Sequence, residues 1–259
     1  MLESVEEFLG VYKNRPLVSN PGGMGLNHSW ALWFLVSRIQ PDFVVESGVW
    51  RGHSTWIIEQ ASPKTQILSF DINLKRCKFT STKAKYFEMD FSDFDWSGYE
   101  LGNSLCFFDD HQNALERIKS ANWFGFSHVI IEDNWPVGQG DCYSIRHMKS
   151  GVGHAHLQMS DNSRGSILRQ MKTRVFESLL SRVILNQTLL RKPNLADYSN
   201  LIKNISTLQE MPPVFLEKIS QWNTEWIGDY KTEPPLRELA PALNEDYSYS
   251  YLTYLELKK

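Results

Sequence analysis

The sequence predicts a doubly wound, Rossmann-like α/β sheet, and three observations carry that prediction. Short β-branched apolar runs alternate with segments of helical periodicity from Phe43 to Asn134. The first strand-like run leads into a helix through a turn with two glycines, Gly48 and Gly52. Several runs end in acids, namely Glu46, Asp71, Asp109 and Asp133. Strand, turn, helix and strand in this rhythm make βαβ units, whose right-handed crossovers build a parallel sheet.

The elements follow in order. Residues 29–39, SWALWFLVSRI, read as a helix with Asn27 or Ser29 as its cap and Pro41 beyond its end. FVVE (43–46) is the first strand and SGVWRGHS its glycine turn. STWIIEQA (54–61) is a helix capped by its own Ser or Thr, and QILSFD (66–71) is a second strand ending in an acid. YFEMDF (86–91) is a third, weaker strand, and SLCFF (104–108) a fourth. QNALERIKSANWF (112–124) is helical, and HVIIE (128–132) is a fifth strand running into DNWPVGQGD. The rhythm then changes. GSILRQMKTRVFESLLSRVILNQTLL (165–190) is long and amphipathic, and the stretch from Thr207 onward reads as loop and short helix with paired prolines. Residues 150 to about 245 are therefore expected to form a helical insertion over the sheet's carboxyl edge. YSYSYLTYLELK (247–258) alternates like a strand and is expected to return antiparallel to the sheet. The whole chain, 1–259, is expected to be a single domain, which a chain of this length can fill with one core.

Composition excludes some partners. With 27 Lys+Arg against 30 Asp+Glu and no long basic block, neither nucleic acid nor an anionic membrane surface is an expected partner. The start, MLESVEEFLGVYKNRP, has acids where a secretory leader would be basic and then apolar. The apolar stretch WALWFLVSRI is broken by Ser37 and Arg38 and is far short of a membrane span. Cys77, Cys106 and Cys142 are scattered and odd in number, so free thiols and a cytoplasmic setting are expected. Oligomeric state and substrate are not legible in the composition. Of the tryptophans, Trp50 and Trp135 lie in candidate site loops, while Trp222 and Trp226 are expected to pack.

In an open parallel sheet, ligands bind at the carboxyl ends of the strands near the point where strand order reverses. The loop after the first strand, from Glu46 through Gly48 and Gly52 to Ser54 and Thr55, matches neither GxGxxG nor a P-loop. An acid there repels a pyrophosphate but suits a ligand with an ammonium end. Asp71 ends the second strand, where a carboxylate accepts both hydroxyls of a ribose. Ammonium at one end and ribose at the other describe S-adenosylmethionine. Asp90 ends the third strand, on the side where the adenine would lie. Asp109 and Asp110 end the fourth strand, and Asp133 and Asn134 the fifth. Neighbouring strands bring such ends within roughly 5–10 Å of one another, close enough to share a cation. Oxygen donors of this kind suit a hard ion: Mg²⁺ is the expected one, with Ca²⁺ and Mn²⁺ as alternatives. Such an ion would lower the pKa of a substrate hydroxyl. Asp and Asn are also ordinary cap and turn residues. His154 and His156 in GHAH have no further ligands beside them in sequence, and GQGDCY (138–143) could gate the site.

Together, VVESGVWRGHST, SFDIN, FFDDH and IIEDN resemble the class I S-adenosylmethionine-dependent methyltransferases, specifically the metal-dependent O-methyltransferases of the catechol type. The resemblance runs from about Met24 to Asn134. It implies an enzyme that methylates a hydroxyl of a small molecule or sugar. It implies Asp110, rather than Asp109, with Asp133 and Asn134 as metal ligands. It also implies Glu46, Ser54 and Asp71 on the cofactor across Gly48 and Gly52, with Met24 beside the methionine end. The catechol-type enzymes carry a lysine base three residues after the first metal aspartate, and here that position is Asn113. His111, or less directly His53, is then the candidate base. A nucleoside-binding protein without catalysis, and a metal-dependent oxygenase, are the alternative readings.

Overall fold

A computed structural model of the chain describes residues 2–136, 140–151, 195–215 and 249–258. Helix α1 (Leu2–Tyr12) and helix α2 (Leu26–Ile39) precede strand β1 (Phe43–Ser47) and helix α3 (His53–Ala61). Strands β2 (Gln66–Phe70), β3 (Ala84–Phe87) and β4 (Ser104–Phe108) follow, then helix α4 (Ala114–Phe124) and strand β5 (His128–Ile131). Helix α5 (Ile145–Lys149), helix α6 (Leu195–Lys203), strand β6 (Ile205–Glu210) and strand β7 (Thr253–Leu257) complete the described elements.

The strands form one sheet in the order β3-β2-β1-β4-β5-β7-β6. β1 to β5 are parallel, while β7 runs antiparallel to both β5 and β6. β1 and β4 are buried at every position, as expected of central strands covered on both faces. Alternate residues divide between two cores. Val44, Ile67, Leu105 and Phe107 pack under α1, α2 and α3. Val45, Leu68, Cys106 and Phe108 pack under α4. The period-two alternation thus holds the carboxyl ends of the strands in register from both sides.

Several expectations are corrected. Helix α2 starts after Gly25 with no side-chain cap. Asn27 instead accepts from the Phe215 amide at 2.9 Å, and Ser29 donates to the Gly25 carbonyl at 2.8 Å. Helix α3 starts after Gly52, which is left-handed, so Ser54 and Thr55 are free for other partners. The third strand is short and ends at Phe87; Phe91–Asp93 is a single 3₁₀ turn capped by Asp90. Residues 195–210, expected inside a helical insertion, hold α6 and the edge strand β6. That strand has no continuous apolar run because it pairs only with β7 and is half exposed, so local pattern does not reveal it. The expected helix 165–190, His154, His156, Trp222 and Trp226 lie outside the described residues, as does part of the 138–143 loop. Among the described residues no helix is long and apolar enough to cross a membrane. All three cysteines are free.

Candidate functional site

Strand order reverses between β1 and β4, so the loops that leave them diverge and open a crevice. A cleft of about 440 Å³ lies there, lined by the exits of β1, β2, β3 and β4, by Gly22 and Gly23, and by Asp141. This is within the roughly 300–1,000 Å³ range of small-molecule sites.

The glycine loop is built by close approach. Gly48 has φ 96°, and a Cβ there would lie 2.1 Å from the Asp109 carbonyl oxygen. Only glycine lets the β1 and β4 exits pass so closely. Gly52 has φ 88°, and a Cβ on it would lie 2.1 Å from the Phe79 carbonyl oxygen. Its service is to the packing of the loop on residues 77–79, where the Lys78 and Phe79 amides both donate to the Arg51 carbonyl.

Glu46 is fully buried beneath the loop. Its Oε2 accepts from the Thr55 hydroxyl at 2.7 Å and the Ser69 hydroxyl at 2.6 Å. Burial pushes its carboxyl up, and the hydroxyls of Ser54, Ser69 and Thr55 oppose that shift. Glu46, Ser54 and Gly52, expected on a ligand, support the loop from below. Met24 is 4% exposed and belongs to the core under α1 and α2.

Asp71 stands at the cleft, but much of its capacity is committed. Its Oδ2 accepts from the amides of Val49 (2.9 Å) and Trp50 (3.2 Å), and its Oδ1 from that of Asn73 (2.8 Å). A carboxylate offers about four lone-pair sites, so room remains for one hydroxyl rather than two. Asp90 is held bidentate by Arg117 at 2.8 and 2.6 Å, and it caps the following turn through Ser92. Those Arg117 bonds hold its carboxyl well below the usual range.

The acids at the β4 and β5 exits do not divide as expected. Asp110 accepts from Ser47 Oγ at 2.5 Å and pairs with Arg117 at 2.8 Å. Asn134 is fully buried, with both amide hydrogens and one lone pair of its oxygen engaged by neighbouring segments. It donates to Glu210 (2.9 Å) and Thr253 (2.8 Å) and accepts from the Arg146 amide (2.9 Å). The groups that converge are Asp109, His111 and Asp133, with one ligand atom from each within 4.8 Å of the others. Asp133, Asp141 and Cys142 form an overlapping group. Burial, followed by the charge of Asp133, pushes the carboxyls of Asp109 and Glu132 well above their usual range. Asp133 itself is held below its usual range despite burial, through hydrogen bonds from His111 and Glu132. His28 closes the back of the site, with Nε2 3.2 Å from Glu132 Oε1.

His111 is left-handed (φ 53°), and its Nδ1 lies 2.9 Å from Asp133 and 3.1 Å from Asp141. Bonds to those two carboxylates raise its pKa to about 12. So held, its Nδ1 is turned to Asp133 and Asp141, and the base expected at this position is engaged by those two carboxylates. His53 is no substitute: it is buried against Tyr12 and Trp56, bonded to Ser29 Oγ at 3.0 Å, and lowered to about 4 by burial and by the charge of Arg15. Asn113, where the catechol type has lysine, caps α4 by accepting from the Leu115 and Glu116 amides. Trp50 lines the cleft, with its ring under the Arg76 guanidinium at 4.8 Å. Trp135 instead has the Gly140 backbone against its ring.

Sequence reasoning passed over Arg117, Asp141, Glu132 and His28. A signal existed for Arg117 alone. It shares the buried stripe of α4 with Ala114, Ile118 and Ala121, and a cation on an apolar stripe asks for a partner.

No family model and no curated protein matches the chain. Solved structures do resemble it. A putative O-methyltransferase from Klebsiella pneumoniae is 11% identical, with 99% of this chain and 90% of that one covered and a TM-score of 0.46. The Podospora anserina methyltransferase PaMTH1, bound to S-adenosylhomocysteine, is 12% identical over 99% and 88%, with a TM-score of 0.45. CmcI with Mg and S-adenosylmethionine is 13% identical over 78% and 76%, with a TM-score of 0.36. The chain spans 62% and 61% of the length of two further CmcI structures. At such identities and scores the class of fold rests on this chain's own sheet, five parallel strands followed by the antiparallel β7. The chain has a Rossmann-like, doubly wound fold with an antiparallel C-terminal strand.

Proposed function

We propose that the protein is an S-adenosylmethionine-dependent O-methyltransferase that uses a divalent cation, expected to be Mg²⁺, to methylate a hydroxyl of a small molecule or sugar. The observation that carries this reading is the pairing of two half-sites across one cleft. On one side are the Gly48 turn and Asp71, and on the other Asp109, which converges with His111 and the buried Asp133 just behind the cleft wall.

The fit of each group follows from donor chemistry. Asp71 keeps one acceptor position for a ribose hydroxyl, and the Gly48 turn leaves the loop backbone open to the cleft. The carboxyls of Asp109, Glu132 and Asp133 crowd together with His111 as their nearest positive partner at the cleft. Like charges this close oppose joint ionisation, and a hard cation removes that conflict. Asp109 and Asp133 would hold it, while Asp110 and Asn134 have other partners. The cation, when bound, would lower the pKa of the acceptor hydroxyl. The chain's own residues then have defined tasks. Asp71 orients the nucleoside, Arg117 keeps Asp90 and Asp110 in place, and the strand exits hold acceptor and donor in line, where positioning and electrostatics accelerate transfer.

Thermal denaturation with S-adenosylmethionine or S-adenosylhomocysteine, each with and without Mg²⁺, tests this. At about 100 times its Kd a ligand stabilises the fold by roughly 2.7 kcal/mol. A rise in Tm with both nucleosides, larger with Mg²⁺ and blunted in Asp71→Ala, is expected. No rise with either nucleoside overturns the reading.

A further inference from the structure

Two consecutive aspartates leave β4, and the surroundings treat them differently. Asp110 is bound by three groups: Ser47 Oγ at 2.5 Å, Arg117 Nη2 at 2.8 Å and the Gln112 amide at 3.2 Å. No lysine or arginine pairs with Asp109 among the described residues; one of its oxygens lies within 4.8 Å of ligand atoms of both His111 and Asp133. The difference originates in Arg117. The residue is 8% exposed, and its guanidinium lies over the rings of Phe91 (5.1 Å) and Phe108 (5.8 Å). From there it reaches Asp90 with both terminal nitrogens and Asp110 with one of them. A planar fork on an aromatic floor has few alternative positions, so the two acids it holds are fixed as well.

We infer that Arg117 is the positioning residue that divides the labour of the aspartate pair: it ties Asp110 to the frame and leaves Asp109 to face the cation with Asp133. The inference rests on the cation reading above and adds to it a cause for the choice of ligand. Arg117 also ties Asp90, at the β3 exit, to Asp110, at the β4 exit. The nucleoside end of the cleft and the cation end are therefore connected through one side chain. Removal of Arg117 releases Asp110, which then competes to face the cation.

Mn²⁺ binding to the full chain, measured by electron paramagnetic resonance, tests this with a double-mutant cycle; S-adenosylhomocysteine affinity is measured in parallel by calorimetry. With Arg117 present, Asp109→Asn is expected to weaken Mn²⁺ at least tenfold more than Asp110→Asn does. In an Arg117→Met background the cost of Asp110→Asn is expected to rise at least fivefold, because the freed carboxylate now contributes to the ion. A purely structural role for Arg117 would lower stability but leave that ratio unchanged. Arg117→Lys keeps the charge without the fork and serves where Arg117→Met does not fold; a rise in the cost of Asp110→Asn is expected there too. Equal losses from the two asparagine variants with Arg117 present, or a cost of Asp110→Asn that is the same in every background, overturn the inference alone. No Mn²⁺ binding by the wild-type chain, with nucleoside binding intact, overturns the cation reading and this inference with it.

Discussion

Gly48→Ala is a one-carbon change whose cost is set by backbone rather than by any side chain. At φ 96° an alanine is strained, which costs about 1–2 kcal/mol. Its Cβ would also lie 2.1 Å from the Asp109 carbonyl oxygen, where real Cβ contacts stay beyond about 3.0 Å. The β1 and β4 exits must separate by about 0.9 Å, and forced overpacking of this kind costs roughly 1–3 kcal/mol. The two together give about 3 kcal/mol, or a fall in Tm of roughly 6–12 °C for a chain of this size. Because the displaced carbonyl belongs to Asp109, Mn²⁺ affinity should fall as well. Gly102→Ala is the control: no atom lies within 4 Å of its Cβ and its φ is not positive, so a change within about 0.5 kcal/mol is expected. Differential scanning fluorimetry on the three proteins, with a Mn²⁺ titration, decides it. A Gly48→Ala protein that melts within 2 °C of wild type would refute the close-approach argument for this loop.

Two further changes separate framework from site. His53 is buried with its pKa lowered from 6.5 to about 4, so between those values the unfolded chain takes up a proton that the folded protein refuses. The stability it contributes is complete above about pH 6.5, declines as pH falls toward 4 and is absent below; the gap corresponds to about 3 kcal/mol. His53→Gln should flatten that part of the stability–pH profile measured by urea unfolding, and an unchanged difference between pH 7 and pH 4.5 would contradict it. Asn134→Ala removes the partner of the Arg146 amide and one hydrogen bond each from Glu210, which keeps the Arg146 guanidinium, and Thr253, which keeps the Tyr251 carbonyl, and should cost about 1–3 kcal/mol. Its Mn²⁺ affinity should fall less than that of Asp109→Asn; intact stability with lost Mn²⁺ binding would restore Asn134 as a ligand.

Much of the frame was legible in order of residues. The five parallel strands, the glycine turn and the carboxylates at strand exits follow from patterns a few residues long. Such patterns are readable because burial on both faces demands continuous apolar runs, and a left-handed turn demands glycine. Strand β6 was not legible, since an edge strand paired only with β7 needs no apolar run of its own. Caps were misread for a related reason. Ser54 and Thr55 have the chemistry of caps, but the buried carboxyl of Glu46 lies close enough to claim them.

The sequence by itself determined which groups arrive at the carboxyl edge of the sheet: Gly48, Asp71, Asp109, Asp110, His111 and Asp133 each sit at or just beyond a strand end. Only the tertiary structure decided how they are paired. The neighbouring of β1 and β4 puts Ser47 beside Asp110, and the packing of α4 brings Arg117 between Asp90 and Asp110. Beyond the ends of β4 and β5, Asp109 converges with His111 and Asp133 instead. A carboxylate's role depends on which charges lie within a few ångströms of it, and in this fold those charges come from segments far apart in the chain.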